Sequence, residues 1–102
     1  MDMNDLMNQA QMMQLELARA QEEIQELTFE AAAGGGMVKA VALGDGTIES
    51  LTINPEAVDP DDVEMLQDMI LAAVNGALRG VAAEGEKRMA SVSGGISIPG
   101  LF

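Results

Sequence analysis

Lys87 and Arg88 are the only adjacent bases in a chain of 5 basic and 17 acidic residues, with a formal net charge of −12. Cations of this kind do one of two jobs. On a nucleic-acid surface they neutralise phosphates and release condensed counterions. At the end of a helix they complement the carbonyl dipole and pair with acids nearby, here Glu84 or Glu86. Arg79 lies 8 and 9 residues before the pair. In a continuous helix Arg79 and Arg88 are then about 13 Å apart, comparable to a few phosphates on one strand. Arg19 and Lys39 complete the cationic inventory. Because charges beyond about 8 Å are largely screened at physiological salt, a local cluster can act despite the surrounding acidity.

The remaining constellations have weaker chemistry. "DPDD" with Glu64 groups carboxylates, but without the alternating spacing and central glycine of a calcium loop; helix capping accounts for it better. "GGGMVK" lacks the strand, loop and helix context of a phosphate cradle, and no Ser or Thr follows its lysine, so it reads as a turn. Ser91 and Ser93 have no base beside them to make a nucleophile. The absence of Cys and His removes disulfides, thiol chemistry, zinc sites and imidazole catalysis. No cofactor, small-molecule substrate or enzymatic activity is expected. With neither Tyr nor Trp, stacking on single-stranded nucleic acid has little support either, and the 9 methionines are expected to fill the core. No signal peptide or membrane span is visible, which points to a cytoplasmic protein.

These residues need elements to hold them. Over residues 3–27, Met3, Leu6, Ala10, Met13, Leu17, Ala20, Ile24 and Leu27 recur at spacings of three and four, the apolar seam of a helix capped by Asp2 or Asn4. That seam covers either the chain's own core or a partner, with Met7, Met12 and Leu15 widening it. From Thr28 the pattern becomes three short strands, separated by Gly34 to Gly36 and by the hairpin signal Gly44-Asp45-Gly46. The second strand sends Val38, Ala40 and Ala42 to one side, and Met37, Lys39, Val41 and Leu43 to the other. In the third, the step from Ile48 to Leu51 breaks alternation, predicting a bulge near Ser50 or a strand buried on both faces.

A second helix is expected to start with Asp59 as cap and Pro60 at its first position, and to bury Val63, Leu66, Ile70, Ala73, Val74, Ala77, Leu78 and Val81. Gly76, Gly80 and Gly85 each cost about 1 kcal/mol within it, which close packing against a strand or helix would offset. The result is a single α+β domain over residues 1–92, with a three-stranded antiparallel sheet between two helices, followed by a flexible tail over 93–102. A chain of this length has a marginal core, and association is a natural remedy.

The helix "LMNQAQMMQLELARAQEEIQEL", the strand "MVKAVALGDG", the exit "INPEAV", the helix "DPDDVEMLQDMILAAVNGAL" and the closing "KRMASVSGG" resemble, in the same order, the YbaB/EbfC nucleoid-associated proteins. The resemblance covers roughly residues 4–100. It implies an intertwined homodimer with helices projecting from a shared β core, holding duplex DNA in the nucleoid through basic residues on helices and loops. On this chain those residues would be Arg79, Lys87 and Arg88, with Arg19 and Lys39, while Leu6, Met13, Leu17, Ile24 and Leu27 would form the dimer or core face of the first helix. The chain departs from the family in its bases. Arg19 is the only one in a helix that the family commonly sprinkles with lysine, and the third strand carries Thr47, Ile48, Glu49 and Ser50 where bases often occur. A dimer would set ten bases (twice 5) against thirty-four acids (twice 17). Two functions follow: binding of duplex DNA with little sequence preference, mainly through phosphates, or an acidic protein-interaction module that keeps the dimer and has lost DNA.

Overall fold

The computed structural model describes residues 2–94, in the order α1 (Met3–Gln25), β1 (Thr28–Ala33), β2 (Val38–Leu43), β3 (Ile48–Ile53) and α2 (Val63–Gly94). A short 3-10 turn over Pro55–Ala57 joins the sheet to α2. The strands form an antiparallel sheet in the order β1-β2-β3. The α+β reading therefore holds for the chain. Residues 95–102, most of the expected tail, lie outside the described residues, whereas Ser93 and Gly94 belong to α2.

Local chemistry sets most boundaries. Of the two candidate caps for α1, Asp2 is the one used: its carboxylate accepts from the Asp5 N–H at 3.0 Å. The hairpin between β2 and β3 turns through Gly46 at φ +87°, and Asp45 accepts hydrogen bonds there from both the N–H and the hydroxyl of Thr47. In β3 the pairing jumps from Val41 opposite Ser50 to Ala42 opposite Ile48, leaving Glu49 as the extra residue of a bulge. The bulge was expected near Ser50; burial on both faces is not found, since Glu49 to Thr52 are exposed.

The start of α2 corrects the sequence reading. Asp59 does not cap the helix: its carboxylate accepts from the Asp61 N–H at 2.9 Å within a separate turn. Asp62 takes the cap instead, accepting from the Met65 N–H at 3.2 Å, and the helix begins at Val63. Two cap-competent aspartates three residues apart made either start acceptable to local propensity. Similarly, Leu27 lies beyond the end of α1 at Gln25, its N–H closing the turn on the Ile24 carbonyl at 3.1 Å.

The core lies between one face of the sheet and α2. Val38, Ala40 and Ala42 of β2 and Ala73, Ala77 and Val81 of α2 are buried, flanked by Phe29, Ala31, Ile48, Ile53, Leu66 and Ile70. Small residues let the helix sit close, and the glycines of α2 supply the closest points. A Cβ on Gly80 would overlap the ring of Phe29, one on Gly76 would meet the Ala31 Cβ at 3.2 Å, and one on Gly85 would reach Ile24 Cγ2 at 3.1 Å. Gly76 and Gly80 thus admit β1, and Gly85 admits α1, which is the compensation their cost in a helix required.

The remainder of α1 runs out from this core. The radius of gyration of the described chain, 20.2 Å, far exceeds the roughly 13 Å of a compact domain of this length, and the molecule measures 73 × 25 × 15 Å. Ile24 and Ala20 pack on α2, but Met3, Leu6 and Met7 are 74%, 52% and 56% exposed. Among the described residues, the apolar seam of α1 is covered by its own chain only at its C-terminal end.

Candidate nucleic-acid interface

The five cations go to three places. Arg19, Lys87 and Arg88 lie on the arm where α1 runs beside the last turns of α2. Arg19 and Glu23 of α1 line a shallow cleft with Glu16, Ala20, Ser91 and Val92. Arg88 reaches across to Glu23, its Nη1 3.2 Å from the carboxylate oxygen, with both side chains about half exposed. Glu23 therefore ties Arg88 to α1 across 65 residues, with Arg19 one turn before Glu23 on the same helix. Lys87 points to water and pairs with Glu84 one turn back at 3.6 Å.

Arg79 and Lys39 lie elsewhere. Arg79 is exposed, two residues after the buried Ala77 and so on the side of α2 turned from the sheet. The helix is continuous from Arg79 to Arg88, as the 13 Å span required, but nine residues turn it through about 180°, so the two guanidinium groups leave opposite sides. Lys39 is exposed on the face of β2 away from α2, between Ala32 of β1 and Thr52 of β3.

The simplest account of Lys87 and Arg88, as cations at a helix terminus, loses one of its two supports. Because α2 continues to Gly94, the pair sits nearly two turns inside the helix, and the described last turn holds no base. The dipole effect fades within the last turn. Pairing with neighbouring acids remains. Exposed ion pairs of this kind contribute about 0–1 kcal/mol each, so neither tie holds its cation strongly against a competing anion.

The contact from Glu23 to Arg88 was not foreseen, as the two are 65 residues apart and no local spacing signals it. The pair from Glu84 to Lys87 was legible as a one-turn spacing. Of the five residues expected on a dimer or core face, Leu17, Ile24 and Leu27 are half-buried within the chain, while Leu6 and Met13 are exposed. Among the described residues no group of carboxylates is arranged to hold a metal ion, and no helix is long and apolar enough to cross a membrane.

An open three-stranded sheet backed by one helix, with a second helix carried outward beside it, is also the architecture of a solved relative. The crystal structure of an uncharacterized Helicobacter pylori protein matches it with a TM-score of 0.66 at 27% identity, covering 88% of this chain and 94% of that one. The model of the YbaB/EbfC DNA-binding family matches residues 1–96, and the chain belongs to that family. Among similar proteins, the nucleoid-associated protein of Thermoanaerobacter pseudethanolicus is 52% identical over 101 residues, covering 99% of this chain and 91% of its own. That of Acetivibrio thermocellus is 54% identical over 102 residues, covering 99% of this chain and 90% of its own. As a member of this family the chain is a non-catalytic protein.

Proposed function

We propose that the protein is a cytoplasmic, nucleoid-associated homodimer that binds duplex DNA with little sequence preference, mainly through phosphates. The observation that carries this reading is the arm: three of the chain's five cations, Arg19, Lys87 and Arg88, sit on one outward-reaching pair of helices. The ties to Glu23 and Glu84 are exposed and weak enough for phosphates to displace. Arg79 and Lys39 contribute only where the DNA path or the partner protomer brings the duplex to their separate faces.

Dimerisation has its own support. α2 lies over β1 and β2, leaving edge strand β3 with Leu51 43% exposed, although Leu51 pairs with Ala40 on the core side of the sheet. Val58 and Val63, after β3, are also exposed. A second protomer seated on this edge gives an intertwined β core from which both arms project. Leu6 and Met13 are then arm residues, while Leu17, Ile24 and Leu27 bind α1 to its own core.

A titration of duplex DNA across several salt concentrations tests the reading. Six arm cations per dimer limit the slope of log K against log salt to about −5. A double Lys87→Glu, Arg88→Glu change is expected to abolish binding at moderate salt while the dimer persists in sedimentation; undiminished affinity removes the pair from the site. The second reading, an acidic interaction module without DNA, draws on the net charge of −12 and on the pairing of Lys87 and Arg88 to carboxylates. A stable dimer with no gel shift at low salt would favour it.

A further inference from the structure

Among the residues lining the cleft between α1 and α2, Ser91 is the one uncharged side chain that can donate a hydrogen bond; the others are Glu16, Arg19, Ala20, Glu23 and Val92. It is exposed, and among the described residues its hydroxyl takes part in no side-chain hydrogen bond. Its direction follows from the helical period. Four residues carry a helix about 40° past a full turn, and three leave it about 60° short of one. Ser91 therefore projects between Lys87 and Arg88, on the same side of α2 and one turn further on. Arg19 lines the cleft from α1. Three cations on two helices thus flank one hydroxyl.

The same face carries Glu16 and Glu23 in the cleft, with Glu23 paired to Arg88, and Glu84 paired to Lys87. Three acids against three bases bring it near neutrality, on a chain of net charge −12. A phosphate is therefore not repelled here, but the cations, each beside a carboxylate, leave little net charge to hold it. A donor without charge adds to the attraction without needing a partner acid. Side-chain hydroxyls commonly fill this part on the backbone of a duplex, alongside Arg and Lys. The cleft, about 310 Å³ in volume, admits a phosphate group over the small side chain of Ala20.

We propose that Ser91 is a DNA-contact residue whose hydroxyl donates a hydrogen bond to a backbone phosphate oxygen entering the cleft, beside Arg19, Lys87 and Arg88. The proposal rests on the reading of the arm as a DNA-binding surface and adds to it a contact of a different kind. A cation that meets a phosphate displaces counterions, and its loss flattens the dependence of binding on salt. A hydroxyl displaces none, so its loss lowers affinity equally at every salt concentration.

Titrations of one duplex at several salt concentrations, with the full chain and its Ser91→Ala, Ser91→Thr and Arg19→Gln variants, test this. Ser91→Ala should weaken binding about tenfold, the loss of a hydrogen bond to a charged group, with the slope of log K against log salt unchanged. Ser91→Thr keeps the hydroxyl and should restore most of the affinity. Arg19→Gln removes one cation per protomer and should flatten the slope by about 2 per dimer. Alanine is a better helix former than serine, so Ser91→Ala should leave α2 intact, which far-UV circular dichroism checks. Undiminished affinity in Ser91→Ala, a slope change matching that of Arg19→Gln, or equal losses in Ser91→Ala and Ser91→Thr each overturn the proposal while wild-type binding stands. No binding by the wild type at low salt overturns the reading of the arm and the proposal with it.

Discussion

The sheet with α2 and the outer arm are written in the same apolar alphabet and end in opposite conditions. In the first, Val38, Ala40, Ala42, Ala73 and Ala77 are fully buried, and glycines on α2 let helix and strand approach to the limit set by a ring or a methyl group. In the second, larger residues at equally regular spacing, Met3, Leu6 and Met13, stand in solvent. Periodicity announces that a face will be covered; residue size tells how close the cover comes. Alanine and glycine are used where the cover is a strand in the same chain, and methionine and leucine where the described residues of the protomer supply no second surface. The cations follow the same division, with three of five on the arm.

The strongest way to break this comparison is to place one carboxylate in each region. Ala77→Asp puts a charge into a fully buried site among Val38, Ala40 and Ala42, with no cation in the cluster to pair it. A loss of several kcal/mol is expected, enough to unfold a chain of this size. Met12→Asp, at a position 61% exposed on the arm, should change stability by less than about 0.5 kcal/mol. Urea denaturation followed by circular dichroism measures both, and a comparable loss in the two variants would show that the arm is part of the cooperative core.

A finer version separates close packing from helix propensity. Alanine at Gly80 gains about 1 kcal/mol of propensity but must displace the Phe29 ring, at a typical overpacking cost of 1–3 kcal/mol, so Gly80→Ala should destabilise by about 1 kcal/mol. At Gly76 the neighbour is the Ala31 methyl at 3.2 Å, which need give way only by a few tenths of an ångström. Gly76→Ala should therefore be neutral or slightly stabilising. Equal effects at the two sites would mean that the fit to β1 does not decide which glycines are needed.

What could be read in the sequence divides along the same line. The order of elements, the hairpin at Asp45 and the bulge around Glu49 were legible, because each is set by residues within a few positions of one another. So was the need for close packing at Gly76, Gly80 and Gly85, though not which element would meet each one. The start of α2 was misplaced because Asp59 and Asp62 satisfy the same local rule, and only the folded chain shows which N–H each accepts from. For the candidate site, the five cations could be named, but their grouping could not. It depends on α1 lying beside the end of α2, which brings Glu23 to Arg88 across 65 residues, and on the helical phase that turns Arg79 away.

That pairing gives a smaller effect on the arm side. Glu23→Gln removes the carboxylate that occupies Arg88 and one negative charge beside Arg19. If Arg88 contacts phosphate, DNA affinity should rise by up to about fivefold at low salt, the equivalent of an exposed ion pair worth at most about 1 kcal/mol. The gain should shrink as salt is added. Gel shifts of wild type and variant on one duplex measure it. A rise of the same size in a chain that also carries Arg88→Gln would assign the gain to general charge and remove Arg88 from the contact.

The smallest expected effect is at the turn of the sheet. The Thr47 hydroxyl, and then the Thr47 N–H, hold the Asp45 carboxyl below its ordinary value. With the folded value lowered, the turn's contribution to stability is complete above the ordinary aspartate range near pH 3.9 and is lost as pH falls through the folded value. Asp45 is fully exposed, so little of the protomer's stability depends on it. The check is an NMR titration of the Asp45 carboxyl in wild type and in Thr47→Val. The wild-type midpoint should lie below that of an unfolded reference peptide. The variant, left with the N–H alone, should titrate closer to the reference. An unchanged midpoint would mean that the hydroxyl does not set the charge state of the turn, and that the register from β2 to β3 rests on Gly46 and the bulge.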